Sequence, residues 1–456
     1  MSDVIAYLNA HRDHSVAELF ELLRIPSISA QSAHAADMVS AAKWLQQRLE
    51  GLGLDTEFIS TAGHPIVLAQ SRMLADKPTL LIYGHYDVQP PDPLDKWLSR
   101  PFEPAIRDGR IFARGASDDK GQLMCHLKAV QAYLETFAEL PLNIKFLLEG
   151  EEECNGHNLA DFIQADKSRL ACDYVVISDG SQLRPGTPAI TYGLRGLVYM
   201  EVTVKGPAQD IHSGSFGGAV ANPANVLARL IGGLHDADGR VSLDGFYEGV
   251  SRIDPQERKA LADLGCEDDQ LKAQLAVDAL PGERGYSSRE RMWARPTLDV
   301  NGLVSGYVEP GAKTIIPAQA SAKISMRLVD QQAPQSIKES FKKYFTERAG
   351  LGVCVEFVEH GQAEPVLIKK TSPGIQAARR ALEKGFSAPA VFVRSGGTIP
   401  VVAVMAQQLT KEILLMGFSL PDDNAHGPNE NFRLADYHHG QLSCAYLLAE
   451  LAGLSR

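Results

Sequence analysis

Apolar positions recur with a helical period through roughly the first fifty residues, most clearly in AADMVSAAKWLQQRLEGLGL, which closes on glycines as helices commonly do. The pattern then shortens. TLLIYGH, NIKFLLEGE and DYVVISDG are brief aliphatic runs that each end on a polar or acidic tip, and the first two are apolar on both faces. Lack of alternation predicts strands covered on both sides, as in a parallel sheet between helices. DDKGQLMCHLKAVQAYLETF, between the first two runs, supplies a crossover helix. The first 185 or so residues therefore read as an α/β domain.

A different style follows. LVYMEVTVKG alternates, NPANVLARLIGGL reads as a helix, and a poorly periodic stretch runs to about Pro296. PTLDVNG, the alternating ASAKISMRLVD, the helical PQSIKESFKKYFTERA and the strand VCVEFVEHG complete the order strand, helix, two strands, helix, strand. That is the ferredoxin-like order. The first style resumes with the helix GIQAARRALEKGF, the strands AVFVR and EILLMGF, and a closing helix after Phe432. The expected organisation is an α/β domain with a mostly parallel sheet (1–186 and 369–456), interrupted by an inserted α+β, ferredoxin-like domain (187–368).

A chain of 456 residues is too long for one ordinary core, and 45% apolar with 22% charged residues is a globular composition. Lys and Arg number 45 against 56 Asp and Glu, a net charge of −11, which argues against nucleic acid or an anionic membrane as partner. MSDVIAYLNAHRDHSVAELF has neither the basic nor the apolar region of a signal peptide, and no apolar run is long enough to span a bilayer. A cytoplasmic protein is expected. The six cysteines (Cys125, Cys154, Cys172, Cys266, Cys354 and Cys444) form no CxxC pair, so they read as mostly buried thiols rather than a disulfide framework or thiolate metal site. Metal ligands, if there are any, must be His, Asp and Glu.

Five tips carry such residues: His85 with Asp87, Asp118 with Asp119, Glu152 with Glu153, Asp179, and His426. In open α/β sheets, ligand sites lie beyond the carboxyl ends of the strands, where these tips fall. His85 and Asp87 leave a strand on the same side if its geometry persists, so one could hold a metal and the other orient it. Alternatives stay open for each piece taken alone: a loop-surface pair for His85 and Asp87, a helix cap or turn for the Asp pair, and a solvated helix start for the glutamates. Several like charges at one sheet edge are costly unless a cation neutralises them. Imidazole and carboxylate without thiolate suits zinc, and also manganese or cobalt. Two metals need a bridging carboxylate, and a further unligated one must accept a proton from the attacking water.

In order, GHYDVQP, RGASDDKGQ, EGEEECNG, SDG, DIHSGSFGG, EPGAKTIIP, MRLV, RSGGTIPV and AHGPNENF closely resemble the zinc metallopeptidase family of carnosinase and the cytosolic non-specific dipeptidase. Aminoacylase, glutamate carboxypeptidase and succinyl-diaminopimelate desuccinylase are more distant members. The resemblance covers nearly the whole chain and is strongest to the dipeptidase branch. It implies that His85 and Asp179 hold one metal, Glu153 and His426 the other, and Asp118 bridges them. Asp87 would orient His85. Glu152 would deprotonate the water shared by the metals and hand the proton to the leaving amine, and the Asp118–Asp119 peptide would be cis. It further implies that 1–186 and 369–456 form the catalytic domain, that the inserted domain is a lid and dimerisation module, and that His212 acts in a homodimer on the partner's site, with Thr314 as a companion polar contact. Arg327 would bind the substrate's terminal carboxylate, aided by Ser395, Gly396, Gly397 and Thr398, with Arg394 a further candidate.

The family often has Ser-Gly-Ser where this chain has Cys154, Asn155 and Gly156. Packing is the preferred role for Cys154 over contact with a metal. Glu151 reads as a supporting carboxylate, and ERGYSSRERMWARP as a solvated loop. The implied activity is that of a dinuclear metal-dependent dipeptidase acting on small peptides with a free carboxylate. An N-acyl-amino-acid deacylase or carboxypeptidase on the same machinery is the alternative, and a non-catalytic metal- or peptide-binding relative a third.

Overall fold

A computed structural model of the chain describes residues 1–154, 156–265 and 268–454. Cys266 and Asn155 therefore lie outside the described residues. The chain forms two compact units. The first comprises Met1–Tyr192, Ile368–Val393 and Val404–Arg456.

Its sheet runs in the order Asp55–Ile59, Ile66–Gln70, Asn143–Glu149, Thr79–His85, Tyr174–Ile177, Ile413–Gly417 and Ala189–Leu194. The middle four strands pair in parallel. The strands on either side are antiparallel, so the sheet is mixed with a parallel centre. Every residue of Thr79–His85 and Asn143–Glu149 is buried, the two-sided cover that their unbroken apolar runs require. The crossover helix spans Lys120–Phe137 and packs, like Pro373–Phe386, on the closing helix Leu434–Ala452. That last contact needs a glycine: a Cβ at Gly385 would lie 2.7 Å from the backbone nitrogen of Ser443. Because the central strands are parallel, His85, the turn after Glu149 and the turn after Ile177 all emerge at one end of the sheet.

Burial at the crossover helix has a pH consequence. His126 is 2% exposed, with Nε2 2.7 Å from Ser178 Oγ, and burial lowers its pKa to about 3. The unfolded chain, titrating near 6.5, binds the extra proton between those values. Stability present above about pH 6.5 is therefore lost as pH falls, about 2 kcal/mol of it by pH 5. The gap in thermal midpoint between wild type and His126→Asn should narrow steadily from about pH 7.5 to about pH 5. A gap independent of pH would show that the ring is not held neutral.

The second unit comprises Gly193–Leu367 and Arg394–Ala403. Its antiparallel sheet has the order Thr297–Ser305, Gln319–Leu328, Gly196–Lys205, Cys354–Ala363, with helices Pro223–Gly232 and Pro334–Arg348 packed on it. This is the ferredoxin-like arrangement. Alternation along Gly196–Lys205 buries Val198, Met200, Val202 and Val204 against Leu227, Leu230, Phe341 and Phe345. The poorly periodic stretch before Pro296 holds three short helices, Pro255–Asp263, Asp268–Leu275 and Ser288–Ala294.

Two expectations are corrected. The Arg-rich stretch 283–296 is not a solvated loop: Ser287 and Glu290 form a capping box, and Arg295, 4% exposed, donates to both oxygens of Glu283 at 2.7 Å. Pairing and capping compensate charges that the composition alone suggests should face water. The thiols are not mostly buried either. Cys125 and Cys444 are, but Cys154 and Cys172 are half-buried and Cys354 is exposed, because strand Cys354–Ala363 turns its outer face to solvent at that position. Among the described residues no helix is long and apolar enough to cross a membrane.

Candidate metal centre

His85 ends its strand fully buried. Its ring Nδ1 lies 3.2 Å from the carbonyl oxygen of Asp87 and 3.4 Å from that residue's Oδ1. Asp87 is itself fixed, its Oδ2 accepting from Ser29 Oγ at 2.6 Å and from the Glu153 amide at 3.1 Å. The other ring nitrogen, Nε2, faces Asp118 Oδ1 at 3.2 Å and Asp179 Oδ2 at 3.9 Å. Asp118 Oδ2 faces the other way, 3.0 Å from His426 Nε2, which is also 3.1 Å from Glu153 Oε2. Asp118 thus presents one oxygen to each of two donor groups, His85 with Asp179 and His426 with Glu153. Within each group the donor atoms lie within 4.8 Å of one another.

The donors fit divalent cations. His85 Nε2 is buried without a hydrogen-bond partner, although three carboxylates surround it. Two imidazoles and three carboxylates are a hard-to-borderline donor set suited to zinc, manganese or cobalt. The Asp118–Asp119 peptide is cis, and His426 sits at φ 62°, a left-handed conformation uncommon outside glycine.

Proximity of like charges pulls these carboxyls apart in acidity. Burial is the largest influence on Glu152 and pushes it up to about 8; His85 opposes the rise, while Asp179, Glu153 and Asp118 add to it. Asp179 rises to about 7, by burial and then by Asp118. Burial also works against charge on Asp118, yet the imidazoles of His426 and His85 beside its two oxygens hold it well below the usual carboxylate range. Its acceptor atoms, with those of Glu153, raise His426 to about 10. Glu152 has no hydrogen-bond partner among the described residues and stands in neither donor group.

Residues 81–450 match the sequence profile described as Peptidase family M20/M25/M40. The chain belongs to that family. It is 31% identical to the Cys-Gly metallodipeptidase dug1 of Schizosaccharomyces pombe, across 98% of each chain. Its fold superposes on the M20 family metallo-carboxypeptidase Sso-CP2 of Sulfolobus solfataricus with a TM-score of 0.87 at 34% identity, covering 96% of this chain and 99% of that one. Human carnosine dipeptidase 1 gives a TM-score of 0.82 at 28% identity, covering 99% of each. This M20 member is a metal-dependent peptidase hydrolase.

The remaining candidates of this M20 peptidase lie in the second unit. His212 is exposed, precedes the short helix Ser213–Phe216, and accepts from the Gly214 amide through Nδ1 at 3.0 Å. Thr314, also exposed, gives its carbonyl to the Ser213 amide at 3.0 Å, which holds the two segments together. Arg327 lies on the polar side of Gln319–Leu328, opposite the buried Ala322, Ile324 and Met326, and donates to Thr398 Oγ1 at 2.8 Å. Ser395 Oγ accepts from the Gly397 amide at 3.0 Å. The 395–398 turn is gathered by a residue that the sequence did not mark. Arg195 donates through Nε to the Gly396 carbonyl and through its amide to that of Gly397, and its own carbonyl accepts from Thr398 Oγ1 at 2.6 Å. Burial, then the neighbouring charge of Arg327, lowers Arg195 to about 10. Arg394 is engaged by Glu257, to which Nε and Nη2 donate at 2.9 and 2.6 Å.

Sequence reasoning also missed Glu430. Fully buried, it accepts from Arg114 Nη1 (2.7 Å), from the amides of Gly115, Ser117 and Asp118 (2.9, 2.9 and 3.1 Å), and from Ser117 Oγ (3.2 Å). It thereby ties the His426 loop to the Asp118 turn. A Glu in a loop rich in Asn, Gly and Pro carries no local signal of burial. Glu151 plays a comparable supporting part, accepting from the His64 amide and the Asn158 side chain. Cys154 donates to the Glu151 carbonyl at 3.6 Å and belongs to neither donor group.

Proposed function

We propose that the protein is a dinuclear metal-dependent dipeptidase that hydrolyses the amide of short peptides bearing a free C-terminal carboxylate. The observation that carries this is the division of Asp118's two oxygens between a His85/Asp179 set and a His426/Glu153 set. The names of the S. pombe and human relatives support the dipeptide class. When bound, a pair of divalent cations, zinc being our first choice, would polarise the scissile carbonyl and make water nucleophilic at neutral pH.

The chain's own residues would do the rest. Asp87 orients His85, and Gln89 does the same for Glu153 by donating to its Oε2 at 2.8 Å. Glu152 takes the proton of the attacking water and returns it to the leaving amine nitrogen, a role open to it because it is not committed as a ligand. Arg327, supported by Thr398, holds the substrate's terminal carboxylate with its planar fork. In a homodimer, His212 of one copy would serve the site of the other. With Nδ1 accepting from Gly214, the proton sits on Nε2, ready to donate to the developing oxyanion. Free thiols at Cys125, Cys154, Cys172, Cys354 and Cys444 agree with a reducing cytoplasm.

A carboxypeptidase on longer peptides is the second reading, favoured by the likeness to the Sulfolobus enzyme. One panel separates the two. Chelated protein should lose activity and regain it on reloading with zinc, manganese or cobalt. Reloaded protein should cleave dipeptides in preference to N-acyl amino acids and to the C-terminal residue of longer peptides. Preference for either of the latter would replace the dipeptidase reading.

A further inference from the structure

The second unit contains a recess of about 660 Å³, within the size range of small-molecule sites. Val241, Leu271, Leu280, Met292 and Leu298 form its apolar wall. Arg291 and Arg295, which reach it from the Ser288–Ala294 helix and the residue after it, are already engaged. Arg295 is paired with Glu283, and Arg291 donates to the Leu280 carbonyl at 2.8 Å and to Ser288 Oγ at 3.0 Å. The interior is therefore suited to an uncharged, apolar group rather than to an anion.

The rim differs from the wall. Arg195 and Thr297 line it, and Thr297 is the cross-strand partner of Arg327, so both stand on the same face of the sheet. Thr297 Oγ1 lies 3.5 Å from Arg195 Nη1. Arg195 and Arg327 stand together where the recess begins, and neither forms an ion pair among the described residues: the one carboxylate at this rim that acts on both, Asp299, accepts from Thr297 Oγ1 at 3.3 Å. Gly396 closes the same corner: a Cβ there would lie 2.8 Å from the Met292 carbonyl oxygen and 3.1 Å from Arg195 Nη2. A carboxylate at the two guanidiniums thus has an apolar hollow immediately beside it.

We propose that this recess receives the side chain of the substrate's C-terminal residue, selecting large apolar or aromatic residues over glycine. The inference rests on the dipeptidase reading and extends it from the carboxylate to the side chain next to it. Where the α-carboxylate is held at the rim, a side chain that fills the hollow adds burial that glycine cannot supply.

The test is the ratio of kcat/KM for Ala-Phe to that for Ala-Gly. In the wild type this ratio should exceed roughly tenfold, the scale on which hydrophobic pockets discriminate. Met292→Trp, which narrows the hollow, should lower it by roughly tenfold or more. Leu271→Ala, which enlarges the recess, should shift preference toward Ala-Trp and decides the matter if the Trp variant does not fold. A ratio unmoved by Leu271→Ala and by a folded Met292→Trp overturns the recess as a side-chain site. Failure of the wild type to cleave any dipeptide would instead overturn the dipeptidase reading beneath it.

Discussion

Glu152→Gln should lower kcat for dipeptide hydrolysis by about 10²- to 10⁴-fold, the range expected when a positioned acid–base group is lost. The substitution keeps the shape of the side chain and removes only its ability to take a proton. Glu152 belongs to neither donor group, so the variant should retain its full metal content. Glu153→Gln, one residue along, should behave differently. Its Oε2 faces His426 at 3.1 Å and accepts from Gln89, so its loss should appear first as loss of metal. Steady-state kinetics with metal analysis on both variants separates the two roles. Wild-type kcat in Glu152→Gln would refute the assignment of the proton shuttle.

Glu430→Ala should destabilise the first unit by about 3–5 kcal/mol, the cost of leaving a buried charge without its partner. Arg114 is 1% exposed and would lose the acceptor 2.7 Å away, and the amides of Gly115, Ser117 and Asp118 would lose theirs. Urea unfolding, followed by a probe in the first unit, measures this. Glu430→Gln should be nearly as damaging, since its amide nitrogen must face a donor, either the guanidinium or the backbone. Because the Asp118 amide hangs on the same carboxylate, both variants should also bind metal more weakly. A loss below about 1 kcal/mol in both variants would show that the turn holds its shape without Glu430.

The strands, the crossover helix and the ferredoxin-like order were legible because each depends on a local period: unbroken apolar runs for buried strands, alternation for half-buried ones. The acidic and imidazole tips were legible for a related reason. A polar residue at the end of a fully apolar strand is locally anomalous, and His85, the Glu152–Glu153 pair and Asp179 all follow such runs. The stretch before Pro296 was opaque because its helices are held by specific pairs, such as Arg295 with Glu283, that leave no periodic trace. Glu430 and Arg195 were opaque because their partners are remote in the chain, 316 residues away for Arg114 and 201 for Gly396.

By itself, the order of apolar runs and charged tips determined which elements form and which side chains leave their ends, since both follow from neighbours a few positions apart. Only the tertiary structure decided that Asp118 turns one oxygen to each histidine, that Glu430 is buried, and that Arg394 is spent on Glu257 while Arg195 stands beside Arg327. Those outcomes depend on distances across the sheet and between loops, set by packing of segments hundreds of residues apart, and no local pattern encodes them.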